Sequence, residues 1–262
     1  MATYTRNDVK VWVINLDRSP ERMERMRSNL GAQGIPFTRF PAIDGTHLPG
    51  SLSERVNARS YERKMGQYLV PGKVGCYYSH LAVWKELAAS EHKVGLILED
   101  DVVFHDDFVE ALDAALDASE YWDILKLNAT RAKFPLWRGQ ARRWSVNGYL
   151  GRFTGNGCYL VKADVAARVS ARIEEMRLPF EHEIGRFFEH GYRLAGLEPF
   201  PSHIEDFGLS QIFGENNKDL KKPRLYKRIA HFIWKISSYF RRAVYLISPR
   251  GWPKPATQHD DQ

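Results

Sequence analysis

Apolar and polar positions fall into blocks whose period switches repeatedly between strand-like and helix-like. Residues 9–16 (Val-Lys-Val-Trp-Val-Ile-Asn-Leu) form a nearly continuous apolar run, the pattern of a strand covered on both faces. Ser19-Pro20-Glu21 then reads as a helix start, with Ser at the N-cap, Pro at the first helical position and an acid beside it. Met23, Met26 and Leu30 give that helix its apolar stripe, and Gly31 or Gly34 ends it. A short strand at 37–43 follows. Residues 45–72, rich in Gly, Ser, Arg and Pro, read as loop with one short helix around 53–65. The pattern next predicts a helix over 73–90, a buried strand over 94–98 and a helix over 107–116. Strands follow at 122–127, 144–149 and 157–162. A helix over 164–175 is capped by Asp164, a helix over 180–190 is ended by Gly191, and the last strand of the body is 192–197. Such alternation predicts an α/β sandwich on a mostly parallel central sheet, with ligands beyond the carboxyl ends of its strands.

The period changes again near the C-terminus. Leu225, Ile229, Phe232, Ile233, Ile236, Tyr239, Phe240, Ala243, Val244 and Ile247 recur at helical spacing, with Lys227, Arg228, His231, Lys235, Arg241 and Arg242 opposite. Charge sharpens the boundary. The formal net charge of +6 divides into −2 for residues 1–217 and +10 for residues 218–254. The chain is therefore expected to consist of a near-neutral body, 1–217, and a basic amphipathic tail, 218–262. Basic residues, Trp234 and several Tyr are the composition of a membrane-interface helix, so an anionic membrane surface is the expected partner of residues 218–254. The alternative is a helix packed on the body with its charges in water. Nucleic acid is not expected, because no reader motif accompanies the charge. Two cysteines, Cys76 and Cys158, make no disulfide framework and suit a reducing compartment. The first residues lack the apolar core of a signal peptide, and no run of about 18 apolar residues exists to span a bilayer.

Candidate chemistry begins at Glu99-Asp100-Asp101. Three adjacent carboxylates after an apolar strand repel one another unless a cation neutralises them, and oxygen donors of this kind suit Mg²⁺ or Mn²⁺. In extended geometry Glu99 and Asp101 share one side and could hold the metal while Asp100 meets base or sugar, or these roles reverse. Arg18 and Arg22, at a helix N-terminus, suit a diphosphate, with Asn15 or Asp17 for a ribose or base; the plainer alternative is the wet face of a helix. Ser79 and His80 stand as sugar or nucleotide contacts against structural hydrogen bonding, and Cys76 reads as a packing residue. Glu181 and Glu183 at a helix start are candidate general bases or helix-stabilising acids. His203, in a Pro-flanked loop, is a candidate nitrogen ligand completing a site begun by Asp101.

Together the segments resemble glycosyltransferase family 25, the lipooligosaccharide-type galactosyltransferases and their collagen-modifying relatives. The resemblance rests on Val13-Ile-Asn-Leu-Asp-Arg18 with Arg22, Phe40-Pro-Ala-Ile-Asp-Gly45, Gly75-Cys-Tyr-Tyr-Ser-His80 with Trp84, and Leu98-Glu-Asp-Asp-Val102. Trp122-Asp-Ile-Leu-Lys-Leu127 and the Gly-Cys-Tyr-Leu-Val strand at 157–161 continue it, over roughly residues 9–212. It implies a GT-A fold and inverting, metal-dependent transfer of a hexose, usually galactose, from a UDP-sugar to a lipopolysaccharide-type or other glycan or glycolipid. Mn²⁺ is implied ahead of Mg²⁺. Glu99, Asp100 and Asp101 become the DxD-like site, with Asn15, Arg22, Asp44 and Ser79 as donor contacts. Relatives often carry Asp after the Pro near 180, where this chain has Phe180 and then Glu181, so Glu183 rivals Glu181 as base. Residues 132–144 have no counterpart. The implied setting is the inner face of a bacterial cytoplasmic membrane. The competing classes are a nucleotidyltransferase, for which Asn15–Pro20 lacks a Gly-rich phosphate loop, and a non-catalytic sugar-binding relative, in which the acidic motif would be lost.

Overall fold

The computed structural model describes residues 4–205 and 229–248. The chain runs β1 (Val9–Asn15), α1 (Pro20–Ala32), β2 (Thr38–Pro41), α2 (Gly50–Ser53), α3 (Ala58–Met65), α4 (Pro71–Ala89), β3 (Val94–Glu99), β4 (Val102–Phe104) and α5 (Phe108–Asp117). It continues through β5 (Ile124–Lys126), β6 (Arg131–Ala132), β7 (Pro135–Ala141), β8 (Trp144–Tyr149), β9 (Phe153–Thr154), β10 (Cys158–Lys162) and α6 (Ala163–Ser170). The remaining elements are α7 (Phe180–Ile184), α8 (Phe187–His190), β11 (Leu194–Glu198), β12 (Ser202–Ile204) and α9 (Ile229–Ile247).

Eight strands form one sheet in the order β2-β1-β3-β10-β5-β11-β8-β7. Six run in one direction, and β10 and β8 oppose them, so three pairings are parallel and four antiparallel. The mostly parallel sheet expected from the sequence is therefore corrected to a mixed one. The reason is connection length: a parallel return needs a crossover of a dozen or more residues. β7 and β8 are joined only through Arg142 and Arg143, and no helix lies between β8 and β10. The parallel pairings are β5–β11 and those of the trio β2-β1-β3, whose carboxyl ends (Pro41, Asn15, Glu99) share one edge of the sheet.

Burial follows the apolar runs. Val11 to Ile14 and Val94 to Leu98 are enclosed on both faces, as their unbroken hydrophobicity predicts. Several predicted elements change in detail. The helix expected over 164–175 is Ala163–Ser170, with Lys162 at the N-cap position and Asp164 inside the first turn. The helix expected over 180–190 is two short ones, of which the second ends at Gly191 in the left-handed region. α1 ends at Ala32, with Gly34 left-handed beyond it. Residues 132–144 supply β7 and the turn that leads into β8, the edge hairpin of the sheet.

Two glycines fix how the β2 loop meets α4. A Cβ on Gly45 would lie 1.7 Å from the Pro71 carbonyl, and one on Gly75 would lie 2.3 Å from the Ile43 carbonyl. The Ile43 N–H donates to Ser79 Oγ (2.8 Å), which donates to the Gly75 carbonyl (2.7 Å). Residues 42–45 are thus laid directly on the first turns of α4.

α9 packs on α3 and α8. Arg242 donates to the carbonyls of Leu150, Gly151 and Gly185, and Leu246 is buried. Part of the basic side predicted for the tail therefore faces the body. Residues 224–228 of the predicted helix, like the rest of 218–228 and 249–262, lie outside the described residues. No helix among those described is long and apolar enough to cross a membrane.

Gly45→Ala is expected to lower stability in urea unfolding by about 1–3 kcal/mol, the cost of overpacking against fixed backbone. Gly50→Ala, where no atom lies within 4 Å of the added Cβ, is expected to stay within about 0.5 kcal/mol.

Candidate active site

Because β2, β1 and β3 are parallel, the loops leaving them open on one side of the sheet, and α4 closes the far wall. Between them lies a cleft of about 450 Å³. Ile14, Leu16, Ala42, Ile43, Val70 and Pro71 give it an apolar lining, while Arg18, Arg22, Asp44, Thr46, Glu99, Asp100 and Asp101 supply charge and hydrogen-bonding capacity. That size and this mixture suit a small-molecule site.

The three acids at the end of β3 have different surroundings. Asp100 accepts from Asn15 Nδ2 (2.7 Å) and Arg22 Nη1 (3.0 Å), one partner on each oxygen. Burial raises its carboxyl, and these two donors oppose the rise. Glu99 Oε1 lies 3.0 Å from His80 Nε2. Asp101 has Arg22 at 3.9 Å from one oxygen, and its other oxygen, Oδ1, is buried with no hydrogen-bond partner. Burial, then the charges of Glu99 and Asp100, push Asp101 up to about 7.

His80 is held at both nitrogens. Trp84 Nε1–H donates to Tyr159 Oη (3.0 Å), which lies 3.0 Å from His80 Nδ1. An indole can only donate and a carboxylate only accept, so the network assigns the Tyr159 proton to Nδ1 and the His80 proton to Nε2, donated to Glu99. The ring also stacks on Phe180, 5.0 Å between centroids. His80 therefore orients Glu99, and sugar contact is not its role in this arrangement.

The other predicted residues divide. Arg18 pairs with Asp44, which also accepts from Thr46 N–H (2.9 Å) and Oγ1 (2.7 Å). The Thr46 bonds, with Arg18, hold the Asp44 carboxyl below its usual range against some burial. Ser79 lines the cleft, with its hydroxyl tying the β2 loop to α4. Asn15 is buried and fully engaged: Nδ2 donates to Asp100 and to the Ser19 carbonyl (2.9 Å), and Oδ1 accepts from Arg39 Nε (3.0 Å). It positions Asp100 and has no donor left for a ribose. Asp17 is exposed and paired with Arg39.

Two assignments change on the structure, those of Glu183 and His203, and Glu181 stands apart from the cleft. Glu183 is buried between Arg186 (2.9 Å) and His190 (3.2 Å), fastening α7 to α8, and is corrected from candidate base to structural acid. Glu181 does not line the cleft; it pairs with Lys73 (3.4 Å) and accepts from Gly155 N–H (3.1 Å). Burial would raise it, but Lys73, His182 and Lys126 hold it down at about 2, the reverse of a carboxyl raised by its pocket. His203 stands on β12 opposite Val103, exposed, with Nδ1 2.9 Å from His105 Nε2. The structure gives it to His105 and away from Asp101.

Residues that sequence patterns did not single out complete the site. Thr46 and Tyr159 carry no local signal, since their parts depend on a loop fold and a cross-sheet contact. Lys126 had one: a lone cation in the apolar run 124–127, now fully buried and lowered by burial to about 8. Cys76, His80 and Glu99 offer donor atoms within 4.8 Å of one another. Burial pushes the Cys76 thiol up and keeps it protonated, and both His80 nitrogens are engaged, so the oxygen donors of Glu99 and Asp101 fit a cation better.

The raised Asp101 carboxyl has a thermodynamic sign. The folded state keeps the proton to about pH 7 while the unfolded chain releases it near pH 4, so stability falls as pH rises between those values. Asp101→Asn is expected to be more stable than wild type at pH 8 by about 1 kcal/mol or more, with the difference vanishing near pH 4. Thermal melts across that range check it.

The model of glycosyltransferase family 25 (LPS biosynthesis protein) matches residues 8–182. Human procollagen galactosyltransferase 2 is 31% identical over 130 residues, covering 47% of this chain and 21% of the relative. A glycosyltransferase 25 family member of Drosophila melanogaster is 32% identical over 132 residues, covering 47% and 21%. Human inactive glycosyltransferase 25 family member 3 is 32% identical over 126 residues, covering 45% and 21%. The matched region thus spans about one fifth of the length of these relatives. Among solved structures, mannose-1-phosphate geranyltransferase from Thermus thermophilus is similar at a TM-score of 0.37 and 12% identity, over 75% of this chain and 76% of that one. A likeness that distant carries no argument.

Proposed function

The chain belongs to glycosyltransferase family 25, and from that premise we propose that its cleft binds a UDP-hexose, UDP-galactose foremost, in a GT-A-type arrangement. The sugar is transferred with inversion to a hydroxyl of a lipooligosaccharide-type or other glycan or glycolipid. The observation that carries this is the unequal neutralisation of the acids beside the cleft: Asp100 is held by Asn15 and Arg22, while Asp101 Oδ1 has no partner. An orphaned buried carboxylate oxygen, next to a second carboxylate and a guanidinium, fits a divalent cation and the diphosphate that accompanies it.

Glu99 and Asp101 would hold that cation, Mn²⁺ ahead of Mg²⁺, with Asp100 kept apart from it by Arg22. When bound, it would supply charge stabilisation to the leaving diphosphate, worth several kcal/mol. Arg18 and Arg22 would take the phosphate oxygens, and the lining around Ile43 and Pro71 would take the flat face of the base. In the transfer, the acceptor oxygen bonds to the sugar C1 as the bond from C1 to the phosphate oxygen breaks, and UDP leaves. Glu181 is the proposed base for the acceptor proton. It is ionised at neutral pH, as a base must be, and Lys73 is the charge to be drawn off before its proton affinity suffices. The place of work proposed is the inner face of a bacterial cytoplasmic membrane.

Identity to the human galactosyltransferase and to the human inactive relative is nearly equal, 31% and 32%, so similarity does not separate catalyst from non-catalytic relative. The intact acids favour the catalyst. UDP release from UDP-galactose, with and without Mn²⁺, tests this. Wild type should be stimulated by Mn²⁺, and Asp101→Ala should lose about 10²-fold or more of that rate. Equal turnover by both proteins would end the metal-site reading. Binding of UDP without any turnover would favour the non-catalytic relative, and turnover of UTP with a sugar 1-phosphate the nucleotidyltransferase. Glu181→Gln should cost about 10²–10⁴-fold in kcat; a wild-type rate would move the base elsewhere.

A further inference from the structure

α9 is fastened to the body by its polar and aromatic side. Arg242 reaches three carbonyls, Arg138 donates to the Leu246 carbonyl (2.9 Å), Tyr245 donates to the Tyr192 carbonyl (3.3 Å), and Arg241 pairs with Glu189. Its apolar stripe points the other way. Ile229, Ile233, Ile236, Phe240, Val244 and Ile247 recur at intervals of three or four residues and stand 47–81% exposed. An amphipathic helix packed on a core ordinarily buries its apolar face and wets its polar one. Here the order is inverted over five helical turns, leaving a continuous apolar band on the outside.

We infer that this band is a docking surface for an anionic lipid bilayer, lying in the interface with α9 parallel to the membrane plane. Charge selects this occupant. Between Asp219 and Asp260 the sequence holds no acid, and residues 218–254 carry a net +10. Arg242 and Arg241 are taken by the body and Lys235 shares their side of the helix, so the charge offered beside the band is that of the lysines and arginines that precede it in the sequence. Anionic headgroups complement this charge and acyl chains complement the band. A second copy could cover the band but would leave the charge uncompensated, because each chain brings the same net +10 to a two-fold contact. A bilayer also uses the whole band at once, since its six residues lie along a single helix face. The face of α9 turned to the body meets α7 as well: Trp234, Ser238 and Arg242 enclose a small cavity with Glu181 and His182. Docking thus brings the bilayer to the side of the protein where Glu181 stands. That last consequence rests on the proposed base, whereas the docking itself does not.

The test is flotation of the full chain with vesicles of phosphatidylcholine alone and of phosphatidylcholine mixed with phosphatidylglycerol. Wild type should float with the anionic vesicles and stay behind with the neutral ones. The Ile236→Glu/Phe240→Glu double variant should bind the anionic vesicles about tenfold or more weaker, with unchanged melting temperature and unchanged UDP-galactose turnover. Equal flotation of variant and wild type, or no flotation of either, would overturn the inference. So would a dimer of the wild type in sedimentation that the double substitution dissolves, because the band would then belong to a second copy. Failure of turnover in the wild type would refute the proposed transfer and leave the flotation result standing.

Discussion

Like charges crowded at the end of one buried strand govern this structure. Glu99, Asp100 and Asp101 cannot all be ionised in a half-buried cleft without compensation. The fold answers each separately. Asp100 receives two donors from the β1–α1 corner, Glu99 receives the Nε2 proton of a histidine locked from behind by Tyr159 and Trp84, and Asp101 is left with one oxygen unanswered. The site's polarity is therefore a consequence of where neutralisation stops. That residual demand for positive charge, at the common carboxyl edge of three parallel strands, is the ground on which a cation with a phosphorylated ligand is proposed for the cleft.

Around this core the family motifs act as parts of one joint. The β1 motif supplies Asn15 and, through α1, Arg22, both used on Asp100. The β2 loop and α4 meet at Gly45 and Gly75, where no side chain fits, and Ser79 locks them. His80, one residue on, then reaches across to Glu99. These segments, far apart in the sequence, therefore converge on the acids at the end of β3. α9 is attached to the body through polar contacts that leave its apolar side outward.

Much of this was legible in the sequence, for definite reasons. Unbroken apolar runs at 9–16 and 94–98 revealed the buried strands, and three acids at the end of one pointed to the cleft they line, because both signals are local. The mixed sheet was not legible. Strand direction depends on connection length and on β10 inserting between β3 and β5, and periodicity is blind to order. Site roles failed where they depended on neighbours distant in sequence. Glu183 reads like Glu181 until Arg186 and His190 close around it, and His203 reads like a ligand until β12 pairs it with His105. Asn15 looked like a ligand contact, and its role became clear only once Asp100, Ser19 and Arg39 were seen to use its amide completely. The tail's period was visible, but which face it turns to the body was not, since both faces carry groups able to pack.

The division of labour among the three acids is tested most directly by a crystal structure with Mn²⁺ and UDP, with the ion located by its anomalous scattering. The account predicts one ion within coordinating distance of Asp101, with Asp100 still held by Arg22 and Asn15. An ion bound to Asp100 after the Arg22 pair has opened, an ion at Cys76 and His80, or UDP bound in the cleft with no ion near Asp101 would contradict it.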